Sequence, residues 1–434
     1  MVSSPVDILL NEWQSVNPET DPRLIDRTLS PAGRELAKVL TKSGMLGVTE
    51  LRAGLAVEAS SFVGKLDLGD ISVTIRPKLG AASFLRLIRY AYGFHDLKRF
   101  SNTEHDLGHL GIEDILIYQL NLEVEELLAR GIHRSYVQKN ESLASPRGRL
   151  DIRRLAAAGG ITSATLPCVH HPRIEDTLLN RVLLAGLKKA STLASDLQLR
   201  RSSRRLASVL EVGISNIHLD LGVLNRGSQA INRLTAAYDP AFGLIRMLLA
   251  GNGVVLEGDA NEARLPGFLF DMNRFFQSLL SRFLRENLPE YTFRDEHRLT
   301  DMMRFVPGFN PRNRQASAPR PDFVVLNDHR IIAILDAKYR DLWERPLPRE
   351  MLYQLAIYAA SHAGKTATIL YPTMDSAAKE SRIEVRDPLH GHPLAQVCLR
   401  PVAIPFLEEL ILSHESNVVH RQRADYARNL ALGA

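Results

Sequence analysis

The sequence predicts a multidomain α+β protein with a β-rich N-terminal region, a helical middle and a C-terminal α/β domain. Its 434 residues exceed the size of one ordinary domain. Short strand-like segments occupy roughly the first 100 residues, helical periodicity follows Asp176, and helix and strand patterns alternate near the C-terminus. We therefore expect domains at 1–155, 156–255 and 256–434, the first of them a partner-docking region.

The N-terminal region shows one clear strand between two helices. "SPAGRELAKVLTKSG" begins with Ser30 and Pro31 and ends at Gly44, which are helix start and stop signals. "ISVTIRPKLG" alternates apolar and polar residues up to Pro77 and predicts a strand. "FLRLIRYAYGF" has apolar residues at helical spacing and predicts the second helix.

The middle region is mainly helical. "GIEDILIYQLNLEVEELLARG" predicts a long amphipathic helix that ends at Gly131, and "EDTLLNRVLLAGLKKASTLAS" begins a helical stretch. Between them, "SYVQKNESLASPRGRLDIRRL" predicts strand, loop and strand, with a basic end. Upstream, "EHDLGH" places His105 and His109 at helical spacing but lacks the acid of a metalloprotease motif, so we interpret it as a surface loop.

The C-terminal region alternates helices and strands. "FDMNRFFQSLLSRFLRENL" predicts an amphipathic helix, and "RFVPGFNPRNRQASAPRP" is a loop that carries four arginines and no acid. "PDFVVLNDHRIIAILDAKYR" reads as a hairpin with a turn at Asn327-Asp328. "REMLYQLAIYAASHAG" predicts a helix and "TATILYP" a strand.

Composition and charge indicate a polyanionic partner as one option, and they argue against disulfide-rich, zinc-cluster and membrane proteins. The net charge of +5 and the pI near 9.2 are compatible with a polyanionic partner. Two cysteines cannot build a disulfide framework or a zinc cluster. The sequence shows neither a signal peptide nor a long apolar run, which predicts a cytoplasmic protein with no membrane segment.

The hairpin carries the residues most suggestive of chemistry. Asp336 and Lys338 lie two positions apart and therefore share one face of a strand. The preceding run of aliphatic residues is apolar on both faces, so an acid there is costly unless it is paired or bound to a cation. Pairing of the two strands would bring Asp322 close to Asp336. Two such carboxylates favour Mg²⁺, and Lys338 could orient water or stabilise developing charge.

The following helix adds two polar residues on one face. Gln354 and Tyr358 are four positions apart, and both can donate hydrogen bonds to a phosphate or to water. Asp-X-Lys alone is a common pattern and can be a structural ion pair at a strand end. Its combination with Pro-Asp, an apolar strand and a Gln-X-X-X-Tyr helix is much rarer, and it favours a catalytic site.

These residues resemble the PD-(D/E)XK nuclease superfamily, in its RecB-like branch. The matching motifs are "PD" at 321–322, "DAK" at 336–338 and "QLAIY" at 354–358. Further stretches, among them "VTIRPKLG", "LLARGIHRSYVQ", "PRGRLDIRR", "EDTLLNRVL", "FDMNRFF" and "LDAKYR", are similar to the McrC family. The resemblance runs from about residue 50 to about residue 375.

The resemblance implies a function and a partner. McrC proteins are nuclease subunits of modification-dependent restriction systems, and they act with McrB, an AAA+ ring that hydrolyses GTP and recognises methylated DNA. By this resemblance we expect Mg²⁺-dependent cleavage of DNA carrying 5-methylcytosine, with Asp322 and Asp336 as metal ligands. Charge and proximity make Arg312, Arg314 and Arg320 candidates for DNA contact. The ring-contact candidates are the basic residues Arg147, Arg149, Arg153 and Arg154, for which a solvated surface is the alternative.

One position departs from the family pattern. Such nucleases often carry a Glu on the first helix of the domain, and the corresponding residue here is Gln277. The departure leaves open one metal ion or two, and it keeps a GTPase-activating adaptor with a decayed nuclease site as an alternative. A stand-alone RecB-like repair nuclease is a further alternative, although a nuclease domain needs less than half of this chain.

The chain shows no nucleotide-binding loop of its own. Gly364, Lys365 and Thr366 resemble the end of a P-loop, but Ala359 stands where the motif needs a Gly. The segment also precedes a predicted strand, whereas a P-loop precedes a helix. We therefore interpret it as a helix stop.

Overall fold

The computed structural model describes residues 6–94, 111–161, 163–255, 262–264, 267–300, 302–414 and 416–433. His105 and His109 lie outside these residues. The chain forms a mixed α/β structure, as the sequence predicts. The helices are α1 (Pro31–Lys42), α2 (Ala81–Tyr92), α3 (Ile112–Arg130), α4 (Ile152–Ala157), α5 (Leu178–Leu193), α6 (Leu197–Glu211), α7 (Leu221–Ala230), α8 (Asp239–Asn252), α9 (Met272–Asn287), α10 (Arg349–Ala360), α11 (Ile404–Leu412) and α12 (Asn417–Leu432).

The strands are short in the first half of the chain and longer in the second. They are β1 (Val6–Asn11), β2 (Ser15–Val16), β3 (Leu46–Leu51), β4 (Gly54–Ala59), β5 (Phe62–Asp67), β6 (Ile71–Arg76), β7 (Ser135–Tyr136), β8 (Lys139–Leu143), β9 (Arg149–Leu150), β10 (Leu166–His170), β11 (Arg173–Ile174), β12 (Gly253–Val255), β13 (Glu262–Arg264), β14 (Gly267–Asp271), β15 (Thr292–Asp295), β16 (Phe323–Asn327), β17 (Arg330–Ala337), β18 (Thr366–Thr373), β19 (Ser381–Arg386) and β20 (Pro393–Ala403).

The chain divides into two compact units, one of them inserted in the other. The first unit combines Met1–Asp96 with Leu256–Ala260 and Leu269–Ala434. The second consists of Leu97–Val255 and Asn261–Phe268. The division into domains at 1–155, 156–255 and 256–434 stays a prediction, because compactness alone does not test which segments fold independently.

Three sheets are present in the described residues of the first unit. The largest has six strands in the order β15-β16-β17-β18-β20-β19, and β17, β18 and β20 run parallel to one another. Helix α10 connects the parallel strands β17 and β18, as such crossovers require. A second sheet has the order β1-β6-β5-β14, so a strand of the C-terminal half completes a sheet of the N-terminal region. The third is the β2-β4-β3 sheet.

Helix α9 supplies the centre of this unit's core. Asp271 caps its first turn by accepting hydrogen bonds from the backbone N–H groups of Asn273 and Arg274. Its apolar face is buried, and Phe275 packs against Phe84 of α2 with ring centroids 5.4 Å apart. The buried face of α9 therefore joins the N-terminal and C-terminal halves of the unit.

The second unit centres on α3, where one sequence prediction is wrong. The helix was expected to be amphipathic, yet most of its residues are buried, including Asp114, Asn121 and Glu123. Helices α5, α6 and α8 contact it on several sides, so polar positions that suggested a solvent face lie inside. Ser203 of α6, for example, donates a hydrogen bond to the Asn121 side chain at 2.9 Å.

The hairpin that carries the Asp-X-Lys motif differs slightly from expectation. Asn327 pairs with Arg330, so the turn residues are Asp328 and His329 rather than Asn327-Asp328. Both have positive φ, at 45° and 67°, as the two-residue turn with matching strand twist requires. Elsewhere, Thr366 begins β18, so the Gly364-Lys365-Thr366 segment connects a helix to a strand as predicted.

Candidate active site

Strands β16 and β17 place the two predicted acids side by side. Phe323 pairs with Leu335, and the next step along the ladder sets Asp322 beside Asp336. Asp322 accepts a hydrogen bond on Oδ2 from the Ala337 backbone N–H at 2.7 Å. The carboxylate of Asp322 is thereby fixed across the pair of strands.

Lys338 lies at the end of β17 and reaches both acids. Its Nζ is 3.0 Å from Oδ2 of Asp336 and 3.7 Å from Oδ2 of Asp322. The Asp336 side chain is 4% exposed, that of Asp322 18% and that of Lys338 28%. The site is therefore a largely buried group of two carboxylates and one ammonium that opens to solvent on the lysine side.

The charges of this group do not balance. Burial, and after it the neighbouring Asp336 carboxylate, together raise the pKa of Asp322 to about 7. Burial lowers the pKa of Lys338, but the carboxylates of Asp336 and Asp322 outweigh that effect, and the net shift is upward. When both carboxylates are ionised, one ammonium does not neutralise them, so the pair takes up either a proton on Asp322 or a second cation.

Helix α10 brings Gln354 and Tyr358 to this group. The Gln354 side chain donates a hydrogen bond from Nε2 to the Tyr358 hydroxyl at 2.8 Å. Burial raises the pKa of Tyr358, and the charges of Asp336 and Asp322 contribute to the rise. Gln354 is exposed and Tyr358 is buried. Gln354 therefore lies on the solvent side of this group, and Tyr358 lies on its core side.

The donor set fits a hard divalent cation. The described contacts of Asp322 and Asp336 are made through Oδ2 of each carboxylate. Within the described residues there is no group of three or more His, Cys, Asp or Glu side chains arranged to hold a metal ion. Two carboxylates completed by water and substrate oxygens are what Mg²⁺ accepts, whereas zinc sites use more protein ligands.

A nearby cavity contains the residue that departs from the family pattern. Gln277 of α9 lines a cavity of about 610 Å³ together with Tyr92, Asp295, Glu296 and several arginines. Glu296 donates its backbone N–H to the Asp322 carbonyl at 3.0 Å, and its charge contributes to the raised pKa of Asp322. Sequence reasoning missed Glu296, which the register of β15 against β16 places next to Asp322.

The three arginines expected to contact DNA lie on the connection between β15 and β16. Arg312, Arg314 and Arg320 are all exposed. Within the part of the chain that the structure describes, none of them has an ion-pair partner. The same connection exposes Phe305 and Phe309, at 44% and 78%, so it offers both cationic and aromatic surface.

The arginines expected to contact a partner belong to the second unit. Arg149 lies on β9, an edge strand of the three-stranded β8-β10-β9 sheet, and Arg147 precedes it. Arg153 and Arg154 follow on α4, whose Ile152 is 72% exposed. All four arginines are exposed, so this small sheet presents a basic surface with an apolar residue in it.

Of the helices in the described part of the chain, none combines the length and the apolar character that a membrane span requires.

Known proteins resemble this chain in sequence and in fold. A chain of the Thermococcus gammatolerans structure described as McrB AAA+ hexamers with bound McrC matches with a TM-score of 0.62 and 20% identity, covering 98% of this chain and all of that one. A chain of the Thermococcus gammatolerans McrBC complex matches with a TM-score of 0.47 and 22% identity, covering 65% of this chain and 88% of that one. In sequence, the Escherichia coli K12 type IV methyl-directed restriction enzyme EcoKMcrBC is 25% identical over 335 residues, which cover 70% of this chain and 89% of that protein.

A family model matches the larger part of the chain. The model describes a component of the McrBC 5-methylcytosine restriction system, and it matches residues 57–372. The matched range includes Asp322, Asp336, Lys338, Gln354 and Tyr358. The chain belongs to the McrBC restriction-system family.

Proposed function

We propose that this chain is the DNA-cleaving, McrC-like subunit of a 5-methylcytosine-dependent restriction system. In this proposal the sheet from β15 to β20, with α9 and α10, is a PD-(D/E)XK nuclease domain that hydrolyses DNA phosphodiesters with Mg²⁺. The observation that carries the proposal is the convergence of Asp322, Asp336 and Lys338 at the ends of two paired strands. Family membership supplies the restriction context.

Each residue of the site has a distinct role in the proposed reaction. Asp322 and Asp336 would hold the metal ion through carboxylate oxygens. When bound, Mg²⁺ would neutralise negative charge and polarise the phosphodiester. Lys338 remains protonated because of the adjacent carboxylates, so its Nζ can donate a hydrogen bond to the attacking water or to a phosphate oxygen. Gln354 and Tyr358 would donate further hydrogen bonds from α10.

The exposed arginines of the first unit would bind the DNA backbone. Arg312, Arg314 and Arg320 lie on the connection that leads directly into Asp322, and residues 304–321 of that connection contain no acid. Cationic side chains that contact phosphates release counterions, so their contribution weakens as salt rises. Replacing all three with glutamine is expected to reduce both the affinity for DNA and its dependence on salt.

The partner in this proposal is an McrB-like AAA+ GTPase. The similar Thermococcus structure contains McrC bound to McrB hexamers, which supports the same assembly for this chain. The basic surface of Arg147, Arg149, Arg153 and Arg154 is the proposed contact with the ring, and docking there would stimulate GTP hydrolysis. The AAA+ partner would then be the protein that recognises the modified base.

The proposal is tested by reconstitution with a matched pair of variants. The purified chain is incubated with methylated or unmodified plasmid, Mg²⁺ and GTP, with and without the AAA+ protein of its own system. Asp336→Asn removes a charge from the site, and Asp328→Asn makes the same change at the turn of the same hairpin, where Asn tolerates positive φ.

The expected result is cleavage of methylated plasmid by wild type and Asp328→Asn only when the partner is present. Asp336→Asn should lower the cleavage rate at least about a hundredfold, since it weakens the proposed metal site and metal ions contribute several kcal/mol to such reactions. Cleavage without the partner would instead support a stand-alone nuclease. Stimulated GTP hydrolysis without cleavage in any arm would support the adaptor with a decayed nuclease site, an alternative that Gln277 keeps relevant.

A further inference from the structure

Tyr339, the residue directly after Lys338, is held at each of its polar groups. Its backbone N–H donates to Oδ1 of Asn273 at 2.9 Å, and its carbonyl accepts from Nε1 of Trp13 at 3.1 Å. Its hydroxyl donates to Oε1 of Glu12 at 3.3 Å. The side chain is buried, so these partners are not replaced by bulk water. The backbone that carries Lys338 is therefore fixed by residues from outside the hairpin.

Those residues belong to the N-terminal sheet or are anchored to it. Glu12 and Trp13 follow β1, which pairs with β6 along its whole length. Asn273 donates from Nδ2 to the hydroxyl of Ser61 at 2.6 Å, next to β5. The position of Tyr339 is thus determined by the β1-β6-β5-β14 sheet as well as by the six-stranded sheet.

Trp13 makes the largest set of these contacts and has an unusual backbone. Its φ of 61° lies in the left-handed region, which is unfavourable for a bulky side chain and persists only where the surroundings enforce it. Arg345 donates to the Trp13 carbonyl at 2.7 Å, and the guanidinium of Arg340 lies over the indole ring at 5.3 Å from its centroid. Trp13 therefore contacts both ends of the segment from Tyr339 to Arg345.

Hydrogen bonds to β18 fix the backbone on the N-terminal side of Lys338. Ala337 pairs with Leu370 of β18, and the Lys338 N–H donates to the Leu370 carbonyl at 3.0 Å. Beyond that bond the chain leaves the sheet, and the next partners are Asn273 and Trp13. Without the indole N–H, the partly buried Tyr339 carbonyl would lose this donor, and the backbone at Tyr339 would lose one of the contacts that fix it.

We propose that Trp13 is a positioning residue for Lys338. It acts by holding the backbone of Tyr339, so the N-terminal sheet helps to place Lys338 in the proposed nuclease centre. This inference rests on the proposed function of Lys338 in DNA cleavage. Residues 6–13 then have a role beyond partner docking. Displacement of a reacting group by about one ångström can lower a rate by about a hundredfold, so loss of the Trp13 contact should appear in kcat.

The test replaces the indole donor while keeping an aromatic ring. Trp13→Phe removes the N–H that Tyr339 accepts together with one ring of the indole. Trp343→Phe makes the same change at the chain's other tryptophan, which donates to Asp375 rather than to Tyr339, and it is therefore the matched control. For each full-length variant in complex with its AAA+ partner, kcat and KM for methylated DNA are measured at saturating Mg²⁺. GTPase stimulation and the thermal midpoint are measured in parallel.

We expect Trp13→Phe to lower kcat by roughly tenfold to a hundredfold. KM and GTPase stimulation should stay within error of wild type, and the thermal midpoint should fall by only a few degrees, so that the protein is fully folded at the assay temperature. Trp343→Phe should match wild type in kcat, KM and GTPase stimulation. An unchanged kcat for Trp13→Phe overturns the inference. So does a kcat that falls in proportion to GTPase stimulation and folded fraction, since that pattern indicates general destabilisation. Inactivity of wild type itself would instead count against the proposed function.

A second variant tests the same contact if Trp13→Phe fails to fold. Arg345 is half-buried and supports Trp13 through the Trp13 carbonyl, so Arg345→Ala removes that support without touching the core. It should lower kcat several-fold and leave KM and GTPase stimulation unchanged. A kcat equal to that of wild type would overturn the inference.

Discussion

Buried acids occur in both compact units, and they differ in what faces them. In the second unit, Asp114 of α3 accepts hydrogen bonds from the backbone N–H groups of Ser195 and Asp196, at 2.9 Å and 3.2 Å. In the first unit, Asp322 and Asp336 face each other and share a single lysine. Burial raises the pKa of Asp114 and of Asp322 alike. The raised pKa therefore does not distinguish a structural acid from a candidate catalytic one.

The difference lies in the second cause of the shift. For Asp114, hydrogen bonds from backbone N–H groups are the next largest cause of the shift, and they oppose the effect of burial on its pKa. For Asp322, the second cause is another carboxylate, which adds to the effect of burial. Two carboxylates close together at the end of a central strand repel each other and lower stability. Binding of a cation between them would offset that repulsion.

The largest expected effect comes from removing the shared lysine. Lys338→Met should reduce DNA cleavage by about a hundredfold to a thousandfold, since a charged donor aimed at the reacting groups is lost. The same change should tighten the binding of Mn²⁺, used as a probe for Mg²⁺, because the cation no longer competes with the ammonium. Isothermal titration of the metal and a cleavage assay check both halves. Weaker metal binding by the variant would contradict this view of the site.

Another buried acid, Glu12, extends the comparison to the dependence of stability on pH. Burial raises its pKa from 4.5 to about 7. Between these values the folded protein keeps the proton while the unfolded chain loses it, so Glu12 makes the fold less stable as pH rises through this window. Glu12→Gln mimics the protonated form. It should stabilise the protein by up to roughly 3 kcal/mol above pH 7 and have little effect below about pH 4.5.

Thermal unfolding of the wild type and of Glu12→Gln between pH 4 and pH 8 measures this difference. Equal stability of the two proteins at pH 8 would show that the ionised Glu12 is accommodated as well as Asp114 is.

Asp114 of the second unit should affect stability alone. Asp114→Ala leaves the backbone N–H groups at the start of α6 without their acceptor, at an expected cost of about 1 to 3 kcal/mol. The thermal midpoint should fall, while the cleavage rate per folded molecule stays unchanged. A cleavage defect in fully folded Asp114→Ala would assign a functional role to the second buried acid group.

The smallest effect concerns the third acid that the family pattern leads one to expect. Gln277→Glu adds a carboxylate to the cavity that also contains Glu296. Added ligand charge strengthens the binding of divalent cations, so the Mg²⁺ concentration for half-maximal cleavage should fall by roughly threefold to tenfold. A Mg²⁺ titration of the cleavage rate measures it. An unchanged or higher requirement would mean that the site works without an acid at this position.

Local patterns were sufficient to predict the hairpin and its motif. The aliphatic run identifies β17 as an interior strand, and the two-residue period places Asp336 and Lys338 on one face. The turn was misplaced by one residue, because Asp328 and His329 adopt the positive φ angles that Asn and Gly usually supply. The roles of these residues in cleavage, and Mg²⁺ itself, stay predictions.

Long-range contacts could not be predicted from one sequence. Trp13 and Tyr339 are 326 positions apart, and nothing in the local pattern of either residue indicates the other. Glu296 lies next to Asp322 only because β15 pairs with β16 across a long connection. The misread helix α3 has the same origin, since burial by three neighbouring helices overrides the polar residues on its surface.

The insertion of one unit within the other has a consequence for biosynthesis. Strand β5 meets β14 in the sheet, yet about 200 residues separate them, and all of the second unit is translated in between. During translation, the edge of β5 therefore has no strand to pair with until β14 has left the ribosome. Tyr339 and Lys338 are made later still. A chain released before residue 322 thus lacks every residue of the proposed site.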